Sequence, residues 1–219
     1  MFASVDSAAV TAVPLTMCAW MKSDGDAATL QVVGWIGDKD VADHYYQLSW
    51  GQGATNDPSR ASARGGGSES IGEKQSVVTA DAWFHICAVF TSTTSRTSYA
   101  NASAGTANTT STTVSGSDRT AIGMNRDSTP SAPFGGKIAE FCIWDIALSG
   151  ADITNLYNSG KGTPCTNVQS ADLVGYYPLR TDANDSTAGA RHMTTSGSPT
   201  FDATDHPGTT DQSQGVFLQ

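Results

Sequence analysis

Charge is scarce in this 219-residue chain: Asp, Glu, Lys and Arg together make up only 15% of it, too few to clothe the polar faces of many amphipathic helices. Glutamate is nearly missing, at three residues against eighteen aspartates, which places most carboxylates in turns, where Asp bonds its own backbone. Twelve basic residues stand against 21 acidic ones, a formal net charge of −9, so nucleic acid is not an expected partner. No stretch approaches the roughly 20 apolar residues of a membrane-spanning helix. The N-terminal MFASVDSAAV has no basic segment ahead of an apolar run; neither an export leader nor a membrane partner is expected. Cysteine is limited to four residues with no CxxC or Cys/His metal spacing. Cys18, Cys87 and Cys142 sit inside apolar strand patterns and Cys165 in the loop GTPCTN, which predicts buried free thiols rather than disulfides. The sequons at Asn101, Asn108 and Asn184 are then expected to stay unmodified.

What the chain does have is alternation and turns. LTMCAWMKS (15–23), TLQVVGWIGD (29–38), HYYQLSW (44–50), WFHICAVF (83–90) and KIAEFCIW (137–144) are compact apolar or alternating runs bounded by Gly, Pro, Asp or Ser. SRTSYANA, TAIGMN, LVGYYPL and HMTTSG are weaker strand candidates. Two polar stretches, 54–70 and 101–118, read as long loops or hairpin tips. One helix is signalled: Ser149 as N-cap with Asp152 three residues on, Ile153, Leu156 and Tyr157 at i, i+3 and i+4, and Gly160 as the stop. A helix of two to three turns is not stable alone, so its apolar stripe must dock on a sheet. These patterns predict one all-β domain over 1–219, a two-sheet antiparallel jelly-roll sandwich with a short helix near 150–158.

The blocks SVDSAAVTAVPLTMCAWMK, IGDKDVADHYYQL, DAWFHICAVF, GGKIAEFCIWDIALSGADITNLYNSG and LVGYYPLRTDANDSTAGARHMTTSGSPTFDATDHP resemble successive blocks of the concanavalin A-like, laminin-G-like jelly-roll superfamily. The last block is similar to variants found in bacteriophage and environmental proteins. The resemblance implies a helix seated on the convex side of the sandwich and last strands that return beside the first. It also implies a binding or assembly role, with a virion surface (capsid decoration or fibre head) as the first expectation. The partners would then be other copies of the chain, with a trimer as the first guess, and other virion proteins. The alternative implied is a lectin-like module that binds surface glycans.

The chemistry-bearing residues point away from catalysis. Retaining glycosidases need two carboxylates about 5 to 5.5 Å apart, and no strand here presents an alternating acidic triplet: Glu69 and Glu73 lie in a polar stretch, and Glu140 has no acid at i+2. Glu140 reads as a structural acceptor and His85, between Phe84 and Ile86, as a structural histidine; His44, His192 and His206 stand in unrelated blocks. The chain is therefore read as non-enzymatic. No cofactor is required, but Asp24–Gly25–Asp26, Asp38–Lys39–Asp40 and Asp182–Ala183–Asn184–Asp185 each offer two acidic oxygens at a turn, which leaves calcium open beside the plainer reading of turn-forming side chains. For a sugar, the candidate stacking residues are Trp35, Tyr45, Tyr46 and Trp50, set against their competing role as core aromatics.

Overall fold

The computed structural model describes residues 1–25, 28–52, 57–76, 78–205 and 207. Among the described residues thirteen strands are present: β1 (Phe2–Val5), β2 (Leu15–Ser23), β3 (Leu30–Gly37), β4 (His44–Gly51), β5 (Ser59–Gly65), β6 (Ser70–Lys74), β7 (Trp83–Ser92), β8 (Ser95–Ala100), β9 (Ser103–Ala104), β10 (Arg119–Ile122), β11 (Gly136–Trp144), β12 (Leu173–Tyr177) and β13 (Thr194–Ser196). They form two antiparallel sheets, one of seven strands in the order β13-β1-β10-β3-β4-β5-β6 and one of six in the order β12-β11-β2-β7-β8-β9. The expected sandwich is what forms. As the resemblance implied, β13 returns to pair with β1; β12 pairs instead with the strand before it, β11.

The core between the sheets follows the period-2 rule. Met17, Ala19 and Met21 from β2, Phe90 from β7, and Phe141 and Ile143 from β11 meet Tyr46, Leu48 and Trp50 from β4 and Ile122 from β10. Where the sheets come closest, bulk is excluded: a Cβ on Gly34 would lie 2.2 Å from the Phe141 ring, and one on Gly72 would lie 2.6 Å from the Arg96 carbonyl oxygen.

Three expectations need correcting. The stretch 54–70, read as a loop, contains β5 and the start of β6. The inward apolar residues of β5 are Ala61 and Ala63, with Ser59 beside them bonded to Ser98 of the other sheet, so the alternation is alanine and serine against serine and arginine, too faint to register as amphipathic. The helix α1 (Gly150–Tyr157) carries the expected capping box of Ser149 and Asp152, but Asn158 in the left-handed region (φ 45°) ends it, two residues before the expected glycine. Finally, all four cysteines are paired: Cys18 with Cys87 and Cys142 with Cys165. Cys18 and Cys87 are directly opposed across β2 and β7, a relation set by strand register that residue spacing does not reveal.

The helix lies on the outer face of the six-stranded sheet. Ile153 and Leu156 pack with Trp144, Cys142, Val89 and the two disulfides, while half-buried Tyr157 stacks on Trp20 at 5.9 Å between ring centroids. The turn into the helix is pinned by Thr16, whose hydroxyl donates to the Ile146 carbonyl (2.8 Å) and accepts from the Leu148 N–H (3.0 Å). Two large side chains fully covered by such a helix contribute about 1.5–3 kcal/mol each, enough to hold an element that water alone would melt.

Candidate functional site

Among the described residues no helix lies over the outer face of the seven-stranded sheet, and the residues of that face follow from the same alternation. Since Tyr46, Leu48 and Trp50 of β4 and Ala61 and Ala63 of β5 face the core, Tyr45, Gln47 and Ser49 of β4 and Arg60, Ser62 and Arg64 of β5 face outward. Register aligns them in rows: Trp35 beside Gln47 beside Ser62, and Ser49 beside Arg60 beside Glu73.

The four expected sugar-binding aromatics therefore divide. Tyr46 and Trp50 sit in the sandwich core, at 2% and 1% exposure, with Tyr46 edge-on to Phe90; neither presents a ring to a ligand. Trp35 and Tyr45 come together on the outer face, ring centroids 6.5 Å apart, in a small cluster with Val32 and Ala121 that Ala132 packs against. The Trp35 indole itself is fully covered. A split between neighbours such as Tyr45 and Tyr46 is invisible in sequence when both faces of a strand are buried, since no polar alternation marks which side is which.

The polar residues are what sequence reasoning missed. Gln47, Ser49 and Ser62 are 0–1% exposed, yet Gln47 Nε2, Ser49 Oγ and Ser62 Oγ have no hydrogen-bond partner, and neither do Trp35 Nε1 and Arg60 Nε. A buried polar group left unpaired costs about 1–3 kcal/mol, and five in one patch single this face out. More exposed groups pair around them. Arg60 binds Glu73 (2.9 Å) and Gln52 (2.7 Å), Arg64 binds Asp43 (2.7 Å), and the Tyr45 hydroxyl donates to Glu69 (3.1 Å). Burial, reinforced by the Glu69 charge, pushes the Tyr45 hydroxyl well above its ordinary pKa, so it remains a donor throughout the physiological range. Glu69 and Glu73, weighed above only as loop acids, are thus hydrogen-bonding members of this face.

Elsewhere, Glu140 occupies a left-handed backbone position (φ 51°) where β11 slips in register against β2, and its carboxylate accepts from the Tyr176 hydroxyl and the Arg180 guanidinium. Of the calcium candidates, Asp26 and, among the histidines, His206 lie outside the described residues. Asp185 is buried and accepts the backbone N–H groups of Tyr176, Thr187 and Arg191, while Asp182 accepts from the Asn184 N–H. Asp38 and Asp40 do gather a third acid, Asp118, their oxygens within 4.8 Å of one another, but Lys39 pairs with both Asp40 and Asp118 and supplies a cation from the chain itself. A cavity of about 410 Å³ opens at the end of the sandwich. It is floored by apolar residues such as Phe2, Ile138 and Phe201, and its charged rim of Lys137, Asp202 and Asp205 is mutually paired.

A family profile described as the concanavalin A-like lectin/glucanases superfamily matches residues 2–154. The chain belongs to this superfamily. Among solved structures, the concanavalin A-like sandwich here is similar to a heptameric pentraxin from Limulus polyphemus (15% identity, TM-score 0.60, covering 71% of this chain and 75% of that one). It is also similar to a putative carbohydrate-binding protein from Bacteroides ovatus (17%, 0.59, 88% and 55%). A third similar structure is the sialyllactose-bound carbohydrate-binding module of a Ruminococcus gnavus sialidase (14%, 0.56, 66% and 82%). At these identities the likeness is one of fold. None of the curated proteins matches the sequence.

Proposed function

We propose that this chain is a non-catalytic carbohydrate-binding module that holds a glycan on the outer face of its seven-stranded sheet. The observation that carries the reading is the patch of unpartnered donors and hydroxyls at Trp35, Gln47, Ser49, Arg60 and Ser62. Sugars are ligands that supply many hydroxyl donors and acceptors at close spacing, and pockets for them place a few convergent polar groups on a preformed surface. Because Trp35 is covered, recognition rests on hydrogen bonds more than on ring stacking. Arg60 and Arg64 stand beside this layer, opposite Ser49 and Tyr45 in register, where they add charged donors for a ligand. The similar carbohydrate-binding modules support this reading at the level of fold.

A glycan array followed by calorimetry tests it. The expected result is one glycan class bound, with affinity lost in Gln47→Leu and in Arg60→Ala. Absence of binding across neutral and acidic glycans, or binding that both variants leave unchanged, would overturn it.

A second reading places the sandwich on a bacteriophage virion surface as a self-associating decoration or fibre-head protein. Its support is the similarity of the C-terminal block to phage variants, the formal charge of −9, and the heptameric state of the similar pentraxin. Sedimentation of a defined small oligomer without glycan binding would favour it; a glycan-binding monomer would end it.

A further inference from the structure

Under α1, on the opposite side of the molecule from the glycan face, lies a buried imidazole with almost nothing to bond to. His85 of β7 is 3% exposed. Its Nδ1 has no partner, and among the described residues its Nε2 meets the Cys87 sulfur at 3.9 Å. Trp20, directly opposed to it on β2, and Tyr157 of the helix cover the ring. A buried polar side chain without partners calls for an explanation, and its surroundings offer one. His85 and Cys87 sit at i and i+2 on one face of β7, and Cys18 stands opposite Cys87, so Cys18 Sγ, Cys87 Sγ and an imidazole nitrogen of His85 lie within 4.8 Å of one another.

We infer that Cys18, Cys87 and His85 form a redox-gated metal site, closed as a disulfide when oxidised and open to a thiophilic divalent cation such as zinc when reduced. The ligand types are those zinc selects, and metal–ligand bonds of about 2.0–2.3 Å place neighbouring ligand atoms roughly 3.5–3.8 Å apart, close to the Cys87–His85 separation already present. A neutral imidazole with its proton on Nδ1 has a free lone pair on Nε2. Two thiolates cancel the charge of a divalent ion, which a buried apolar setting requires. Three protein ligands leave one position for water or an added small ligand.

The chemistry balances in two steps. A thiol or phosphine reductant supplies two electrons, the Cys18–Cys87 bond breaks, and each sulfur gains a proton. The cation then forms two metal–sulfur bonds as both protons leave to solvent, and His85 Nε2 contributes its lone pair. The inference is independent of the glycan reading, whose residues lie on the other sheet.

The test is a cobalt(II) and zinc titration of the whole chain, oxidised and after phosphine reduction, read by thiolate-to-cobalt absorption and by metal content. One tightly bound ion per reduced chain and none per oxidised chain is expected. X-ray absorption of the zinc-loaded wild type should show two sulfur donors and at least one imidazole, a readout that needs no variant to fold. His85→Gln should weaken binding by at least the roughly 10- to 100-fold that loss of an outer-sphere partner costs. A Cys142→Ser, Cys165→Ser double variant should still bind. The inference is overturned if the reduced wild type binds no metal, if the donor set lacks nitrogen, or if His85→Gln binds as tightly as the wild type.

Discussion

The two outer faces of the sandwich are built from the same kind of strand and end in opposite states. On the six-stranded sheet, Cys18, Cys87, Cys142 and Trp144 are sealed beneath α1 and two disulfides, and Trp144 even satisfies its indole N–H on the Val168 carbonyl (3.0 Å). On the seven-stranded sheet, Gln47, Ser49 and Ser62 are just as buried but unpaired, under a fringe of arginine–carboxylate pairs. The first face is closed by packing, where each atom removed leaves a void. The second leaves polar groups without partners, so on the proposed reading stability and binding should respond in opposite ways to substitutions on the two sides.

The largest expected effect is on the closed face. Trp144→Ala should cost about 3–5 kcal/mol in denaturant unfolding, the range for emptying a buried aromatic site; an unchanged midpoint would mean the helix does not seal this face.

Acid should loosen the same region. Unfolded, the His85 imidazole takes up a proton near its ordinary 6.5, whereas in the oxidised folded protein it resists down to about 3. The unfolded state therefore binds more protons in that window, so stability is intact above pH 6.5 and falls as the pH drops. About 2 kcal/mol should be lost by pH 5, and His85→Gln should flatten that slope. A slope of equal size in the variant would assign the loss elsewhere.

Ser149→Ala removes the hydroxyl that accepts the Asp152 N–H at the start of α1, while the backbone N–H of position 149 still donates to the Asp152 carboxylate. About 1 kcal/mol is expected, with hydrogen exchange quickening first in the helix.

The smallest stability effect, and the sharpest contrast, belongs to the open face. Ser62→Ala deletes a hydroxyl that has no partner, so stability should stay within about 0.5 kcal/mol or rise slightly, while glycan affinity falls by about tenfold. Destabilisation of several kcal/mol would show that Ser62 belongs to the structure rather than to a binding surface.

How much of this was legible beforehand varies by residue. β2 and the capped start of α1 were readable, because Leu15–Ser23 and Ser149–Asp152 carry their signals in consecutive residues. β5 was not, since alanine and serine inward and serine or arginine outward give almost no contrast. Trp35, Tyr45, Tyr46 and Trp50 were named as one set, yet a strand buried on both faces has no polar side to orient it, and only the packing sorted them into two cores. The unpartnered patch had no sequence signature, as Gln and Ser in a strand look like ordinary solvent-facing residues.

The amino-acid order by itself determined the all-β class, the main strands and the capped helix, because alternation and capping are contacts between near neighbours along the chain, and its blocks carried the resemblance to the superfamily. Only the tertiary structure decided that Cys18 faces Cys87 and Cys142 reaches Cys165, that Asp118 joins Asp38, and that Gln47, Ser49 and Ser62 share one buried polar surface. Those relations depend on strand register and sheet stacking across tens of residues, and no local period records which strand will lie beside which.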